Sequence, residues 1–184
     1  DQKQHLEIAR DIAGRFNGIY GDTFTLPEPL IVDSGARIMS LQDPSKKMSK
    51  SDPNPKGFVT VFDSPDVIAK RIKSAVTDSE ACVRYAEGKD GVNNLMAIYA
   101  CCTGKTNEEI EAEFAGKGYG DFKSAVADAV IALLAPIQEE YARLMNDRAY
   151  LESCMKDGAE RATRASQKTL NKAMKKIGFY QFKK

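Results

Sequence analysis

The chain contains a single histidine, His5, and four cysteines in 184 residues, and none of the cysteines forms a C-x-x-C pair. One imidazole without a second ligand or nucleophile spaced to it argues against histidine-based metal or acid–base chemistry. A place on a surface or at a helix cap suits it better. Cys82, Cys101, Cys102 and Cys154 fit neither a disulfide framework nor a zinc ribbon, which favours a reducing cytoplasm. No apolar run reaches the length of a membrane span, and neither a signal-peptide pattern nor an internal repeat occurs. The glycine-rich stretch 116–120 is too irregular for a dinucleotide fingerprint and reads as a loop. No Ser/His/Asp or Cys/His constellation is evident. The net charge of +1 excludes little. Its distribution says more, because residues 156–184 carry 9 basic side chains against 2 acidic ones, concentrating positive charge at one end.

What is present suits a globular chain long enough for a real core: 42% hydrophobic, 29% charged, mean hydropathy -0.42. The pattern predicts a helix over 1–16, with Leu6, Ala9, Ala13 and Phe16 on one face and Asn17-Gly18 as its stop. Residues 25–42 read as extended, with a short apolar run at 30–32 and a second segment at 36–41. Phe58–Phe62 reads as a further short strand. Helices follow from Ser64 with Pro65 at the first position, over 92–103 ending at Gly104, from a Thr106–Glu109 capping box to Phe114, and over 122–145 with a kink expected at Pro136. The pattern 147–155 continues as helix, Asp157-Gly158 reads as a break, and the last helix spans 159–177.

Two features carry chemistry. The first is Lys46-Lys47-Met48-Ser49-Lys50-Ser51, bracketed by Asp43-Pro44 and Asp52-Pro53-Asn54-Pro55. Prolines on both sides confine the basic cluster to an irregular loop. Serine hydroxyls and backbone N–H groups in such a loop cradle phosphate oxygens, and lysines supply mobile positive charge. A solvated basic loop has the same composition. The second is the series Arg161, Arg164, Lys168, Lys172 and Lys175, whose steps of three and four place all five on one helix face. Such a stripe can track an RNA backbone, or it can be the solvated side of a packed helix.

Residues 47–51 spell KMSKS, the signature loop of class I aminoacyl-tRNA synthetases. With Asp1-Gln2-Lys3-Gln4-His5, Gly35-Ala36-Arg37-Ile38-Met39-Ser40-Leu41, Ala75-Val76-Thr77-Asp78-Ser79 and Asp157-Gly158-Ala159-Glu160, the chain resembles the bacterial-type tryptophanyl-tRNA synthetase family along its whole length. The resemblance implies an α/β remainder of a Rossmann-type class I catalytic domain over 1–62, followed by an all-α anticodon-binding domain over 63–184. It implies ATP-loop roles for Lys47, Met48, Ser49, Lys50 and Ser51, with Lys47 and Lys50 holding the leaving pyrophosphate and Mg²⁺ sharing the charge. Ile38 and Met48 would pack the adenine, Asp1 would touch the nucleotide, and Gln2 would contact the activated amino acid. L-Tryptophan, ATP, tRNA(Trp) and a second copy of the chain are the implied partners. The cysteine spacing departs from the four-cysteine iron–sulfur site of some members, so no cluster is expected.

The family's first motif would precede Asp1, so the chain is expected to be a piece of a longer enzyme and inactive alone. Tyrosyl-tRNA synthetase is the neighbouring reading, since the side-chain pocket is not among these residues. A non-catalytic helical RNA-binding module is the reading from another class.

Overall fold

The computed structural model describes residues 2–31 and 37–179. Six α-helices account for most of them: α1 Gln2–Tyr20, α2 Pro65–Lys73, α3 Asp90–Thr103, α4 Asn107–Glu113, α5 Tyr119–Met145 and α6 Arg148–Ile177. The chain divides into two compact units, one from Val32–Arg143 and one from Asp1–Ile31 with Leu144–Lys184. That division follows packing and does not run along the boundary at residue 62 expected from the sequence.

The unit within 32–143 has an apolar core. Phe122, Val126, Leu95, Met96, Ile110, Ile68 and Ile72 are fully or almost fully buried. Tyr99, Phe114 and Phe122 meet edge to face, with ring centroids 5.0 to 6.2 Å apart. The ends of the helices follow local chemistry. Pro65 opens α2 after Ser64, Gly104 closes α3 at φ 73°, and Thr106 and Glu109 form a reciprocal capping box on α4. Helix α5 runs through Pro136.

Several expectations are corrected. No β-ladder forms among the described residues, only an isolated antiparallel bridge between Met39 and Lys47. The segment 58–62 is not a strand, because side chains satisfy its backbone. Arg71 Nη1 donates to Phe58 O at 2.9 Å, Thr60 N donates to Asp63 Oδ2 at 2.7 Å, and Gln138 Nε2 donates to Val61 O at 2.6 Å. Of the extended segment 25–42, residues 32–36 lie outside the described residues.

The second unit is built differently. Helix α1 passes Asn17-Gly18 and ends before Gly21, at φ 73°. Asn17 does not stop it. Its Oδ1 accepts from Thr23 N and Phe24 N, both at 3.0 Å, and its Nδ2 donates to Phe24 O at 2.8 Å, so it ties down the chain that follows. Helix α6 runs unbroken through Asp157-Gly158. A lone glycine costs only about 1 kcal/mol there, and Asp157 pairs with Arg161 one turn on, at 3.6 Å. Asp147 caps its start by accepting from Tyr150 N, and Gly178 closes it in the left-handed region.

Candidate nucleotide loop

The basic loop springs from a two-stranded stem. Ser40 N donates to Lys46 O at 2.8 Å and Met48 N donates to Ile38 O at 2.9 Å, flanking the Met39–Lys47 bridge. Leu41 N donates to Gly57 O, and Val76 N to Leu41 O, which moors the stem to the turn at 55–57 and to the end of α2. Gly57 is required by close approach. A Cβ there would sit 2.8 Å from both Asp52 Oδ2 and Ser40 Oγ, and Ser40 is fully buried.

The lysines of the loop are not equivalent. Lys46 Nζ lies 2.7 Å from Asp43 Oδ2, and Ser45 Oγ donates to Asp43 Oδ1 at 2.5 Å. The hydrogen bond from Lys46, then that from Ser45, holds the Asp43 carboxyl at about 2, and Asp43 in turn raises Lys46. Lys46 is thus committed within the protein. Lys47 and Lys50 are exposed, and neither ammonium has an ion-pair or hydrogen-bond partner among the described residues. Lys47, Ser49 and Ser51 border a polar hollow of about 540 Å³ that also includes Lys46, Asp52 and Asn54, and Lys50 sits in the chain between the two serines. The turn itself is closed by Asp52 N donating to Ser49 O and Ser51 N donating to Ser49 Oγ. Two free cations beside two hydroxyls can receive a polyanion without first breaking an internal pair.

Behind the stem lies a second, apolar hollow of about 310 Å³, lined by Ile38, Met48, Leu41, Val59 and Val130 among others. The structure therefore brings together Ile38, Lys47, Met48, Ser49, Lys50 and Ser51. Asp1 lies outside the described residues. Gln2 is an exposed residue at the start of α1, in the other unit.

Arg161, Arg164, Lys168, Lys172 and Lys175 are all exposed on α6. They are not all free. Lys172 Nζ donates to Asp22 O at 2.7 Å, and Arg161 pairs with Asp157. Lys176, outside the predicted series, donates to Gly21 O at 2.9 Å. Among the described residues no three His, Cys, Asp or Glu side chains are grouped to hold a metal ion.

Two positions escaped sequence reasoning. Asn94 is buried on α3 and bonds to the main chain of the loop stem. The signal was a pair of asparagines between Val92 and Leu95 on a helix, polar groups that burial obliges to find partners. Lys89, 4% exposed, gathers Asp78, Glu80 and Tyr119 at 2.9 to 3.0 Å.

Comparison with known proteins gives concordant results. The family model described as tRNA synthetases class I (W and Y) matches residues 1–135. The chain is 52% identical over 179 residues to the tryptophan–tRNA ligase of Clostridium tetani, covering 97% of this chain and 53% of that protein. Tryptophanyl-tRNA synthetase from Mycoplasma pneumoniae superposes with a TM-score of 0.88 at 33% identity, over 97% of this chain and 54% of that one. The Campylobacter jejuni enzyme, solved with ADP and tryptophan, gives 0.68 at 31% identity, over 96% and 54%. The chain spans about half the length of the curated relatives it matches.

Proposed function

We propose a function from one premise: the chain belongs to the class I tRNA synthetases of the tryptophan and tyrosine family. In the full-length enzyme these residues serve a tryptophan–tRNA ligase. It joins L-tryptophan to ATP, giving tryptophanyl-adenylate and pyrophosphate, and then passes tryptophan to tRNA(Trp). Residues 1–62 are the later part of its nucleotide domain, and 63–184 its anticodon-binding helices.

The observation that carries this reading is that Lys47 and Lys50 are exposed and uncommitted in the loop that also holds Ser49 and Ser51, with Lys47 on the polar hollow, while Lys46 is spent on Asp43. Attack of the tryptophan carboxylate on the α-phosphorus moves negative charge onto the β- and γ-phosphates. Cations already in place where that charge develops lower the barrier. Mg²⁺ enters with ATP as part of the substrate. Ile38 and Met48, whose side chains face one apolar hollow, suit the adenine ring. Asp1 and Gln2 are assigned to the nucleotide and the amino acid on the same family grounds. No nucleophilic side chain is required, because positioning and charge placement do the chemistry.

The exposed cations of α6 are assigned to the tRNA backbone. A homodimer and a cytoplasmic site, where translation runs, complete the reading. The tyrosyl alternative has less support, since the relatives matched over nearly the whole chain are named for tryptophan. The test is amino-acid-dependent ATP–pyrophosphate exchange by the full-length protein. Exchange with tryptophan alone is expected. Exchange with tyrosine would keep the mechanism and overturn the substrate, and no exchange with any amino acid would overturn the function.

A further inference from the structure

In the antiparallel bridge of the loop stem, Met39 and Lys47 face each other as a non-hydrogen-bonded pair. The flanking bonds, Ser40 N to Lys46 O and Met48 N to Ile38 O, carry the pairing. Met39's own N–H and C=O therefore point to the opposite side. In a sheet, a neighbouring strand would take them. Among the described residues no strand lies there, and the side chain of Asn94 takes both. Met39 N donates to Asn94 Oδ1 at 2.8 Å, and Asn94 Nδ2 donates to Met39 O at 2.8 Å. A carboxamide has the donor and acceptor of a peptide group in the same plane, so one asparagine reproduces the hydrogen bonding of one strand residue.

Asn94 is itself 6% exposed, on a helix that also buries Leu95 and Met96 beside it, so its position is set by the core. Neither amide group is left to solvent, and loss of the side chain would strand the Met39 groups in a water-poor site.

We infer that Asn94 is a positioning residue for the reaction: through Met39 it fixes the stem that sets where Lys47 and Lys50 stand. The inference rests on the nucleotide-loop reading above. Asn94 touches neither the loop lysines nor any atom of the polar hollow, so its effect passes through the main chain at 38–40 and 46–48. Misplacement of reacting groups by about 1 Å can cost 10²-fold in rate, so a slackened stem should appear in turnover as well as in stability.

The adjacent residue supplies a matched control. Asn93 makes the same two-bond contact with a different backbone segment: Ala86 N donates to its Oδ1 at 3.2 Å, and its Nδ2 donates to Ala86 O at 2.8 Å. Ala86 lies in the 77–89 connection, which is no part of the stem at 38–48. Asn93→Ala and Asn94→Ala thus remove the same chemistry from consecutive helix positions, and only the second bears on the loop.

The experiment has two readouts. In the full-length enzyme, tryptophan-dependent ATP–pyrophosphate exchange is measured against ATP and against tryptophan. Asn94→Ala is expected to lower kcat about 10- to 100-fold and to raise KM for ATP, with KM for tryptophan unchanged. Asn93→Ala is expected to stay near the parent in both. Asn94→Asp, which keeps the acceptor and loses the donor, should show no rescue, because a carboxylate then faces the Met39 carbonyl. In this chain, amide hydrogen exchange at Ser40 and Met48 should quicken in Asn94→Ala and not in Asn93→Ala, with α5 amides unaltered. Equal kinetic losses in the two alanine variants, or unchanged exchange at Ser40 and Met48, would overturn the inference. A wild-type enzyme without pyrophosphate exchange would instead remove the functional reading, while the hydrogen-exchange rates would still decide whether Asn94 holds the stem.

Discussion

The two units are both helical, yet they are held by different forces. The unit within 32–143 is organised around buried apolar side chains, an aromatic trio and asparagine contacts to the main chain. The unit of α1 and α6 buries almost nothing of its own. No residue of α1 is buried, α6 buries only Ala173, and Ile8, Ile12 and Ile19 are more than half exposed. Phe16 packs on Tyr20 and Phe24, with ring centroids 4.8 and 4.9 Å apart, and polar contacts do much of the rest. Lys172 and Lys176 donate to the carbonyls of Asp22 and Gly21, and Arg10 reaches Pro27 O and Glu28, each at 2.6 Å. An exposed ion pair such as Arg10–Glu28 is worth about 1 kcal/mol or less. The loop bearing Lys47 and Lys50 belongs to the unit with the core. Placement of charge to within an ångström needs that rigidity; a surface that follows a polyanion by charge does not.

The largest way to break the comparison is Phe122→Ala. Phe122 is fully buried and touches both other rings of the trio. Its truncation should cost about 3–5 kcal/mol, read as a drop in the urea midpoint and as faster amide exchange through α3 and α5. Retained protection there would mean that the core is not what holds this unit.

A smaller effect sharpens the polar side of the same unit. Burial pushes the Asp78 carboxyl up, but hydrogen bonds from Lys89 and Tyr119 outweigh it and hold the group at about 2, below its ordinary 3.8. A depressed carboxylate contributes stability that is complete above about pH 4 and is lost as pH falls through about 2. Lys89, raised by Tyr119, Asp78 and Glu80 against the pull of desolvation, keeps its charge throughout that range. Thermal melting from pH 7 to pH 2 should therefore show an acid limb that Asp78→Asn flattens. An identical limb in the variant would assign the acid sensitivity elsewhere.

Much of the helical layout was legible because its signals are local. Ser64-Pro65, Thr106–Glu109 and Gly104 act within one turn, and the structure uses each of them. The KMSKS loop was legible for the same reason, since its prolines and lysines are consecutive. The strand expected at 58–62 misled because β-like composition records a wish for backbone partners without naming them. Here the partners are Arg71, Asp63 and Gln138, side chains up to 77 residues away. Asp157-Gly158 misled in the opposite sense. A turn-forming pair in a 30-residue helix is outvoted by the hydrogen bonds on either side. The division of labour among Lys46, Lys47 and Lys50 was not legible either, because it depends on which lysine folds back onto Asp43.

The central claim is that Lys47 and Lys50 are left uncommitted for the leaving pyrophosphate. Lys50→Ala in the full-length enzyme tests it most directly, with tryptophan-dependent ATP–pyrophosphate exchange and tRNA affinity measured side by side. The account predicts a fall in exchange of about 10²- to 10³-fold with tRNA affinity essentially unchanged. A loss of tRNA affinity as large as the loss of exchange would make the loop an RNA contact and contradict the account.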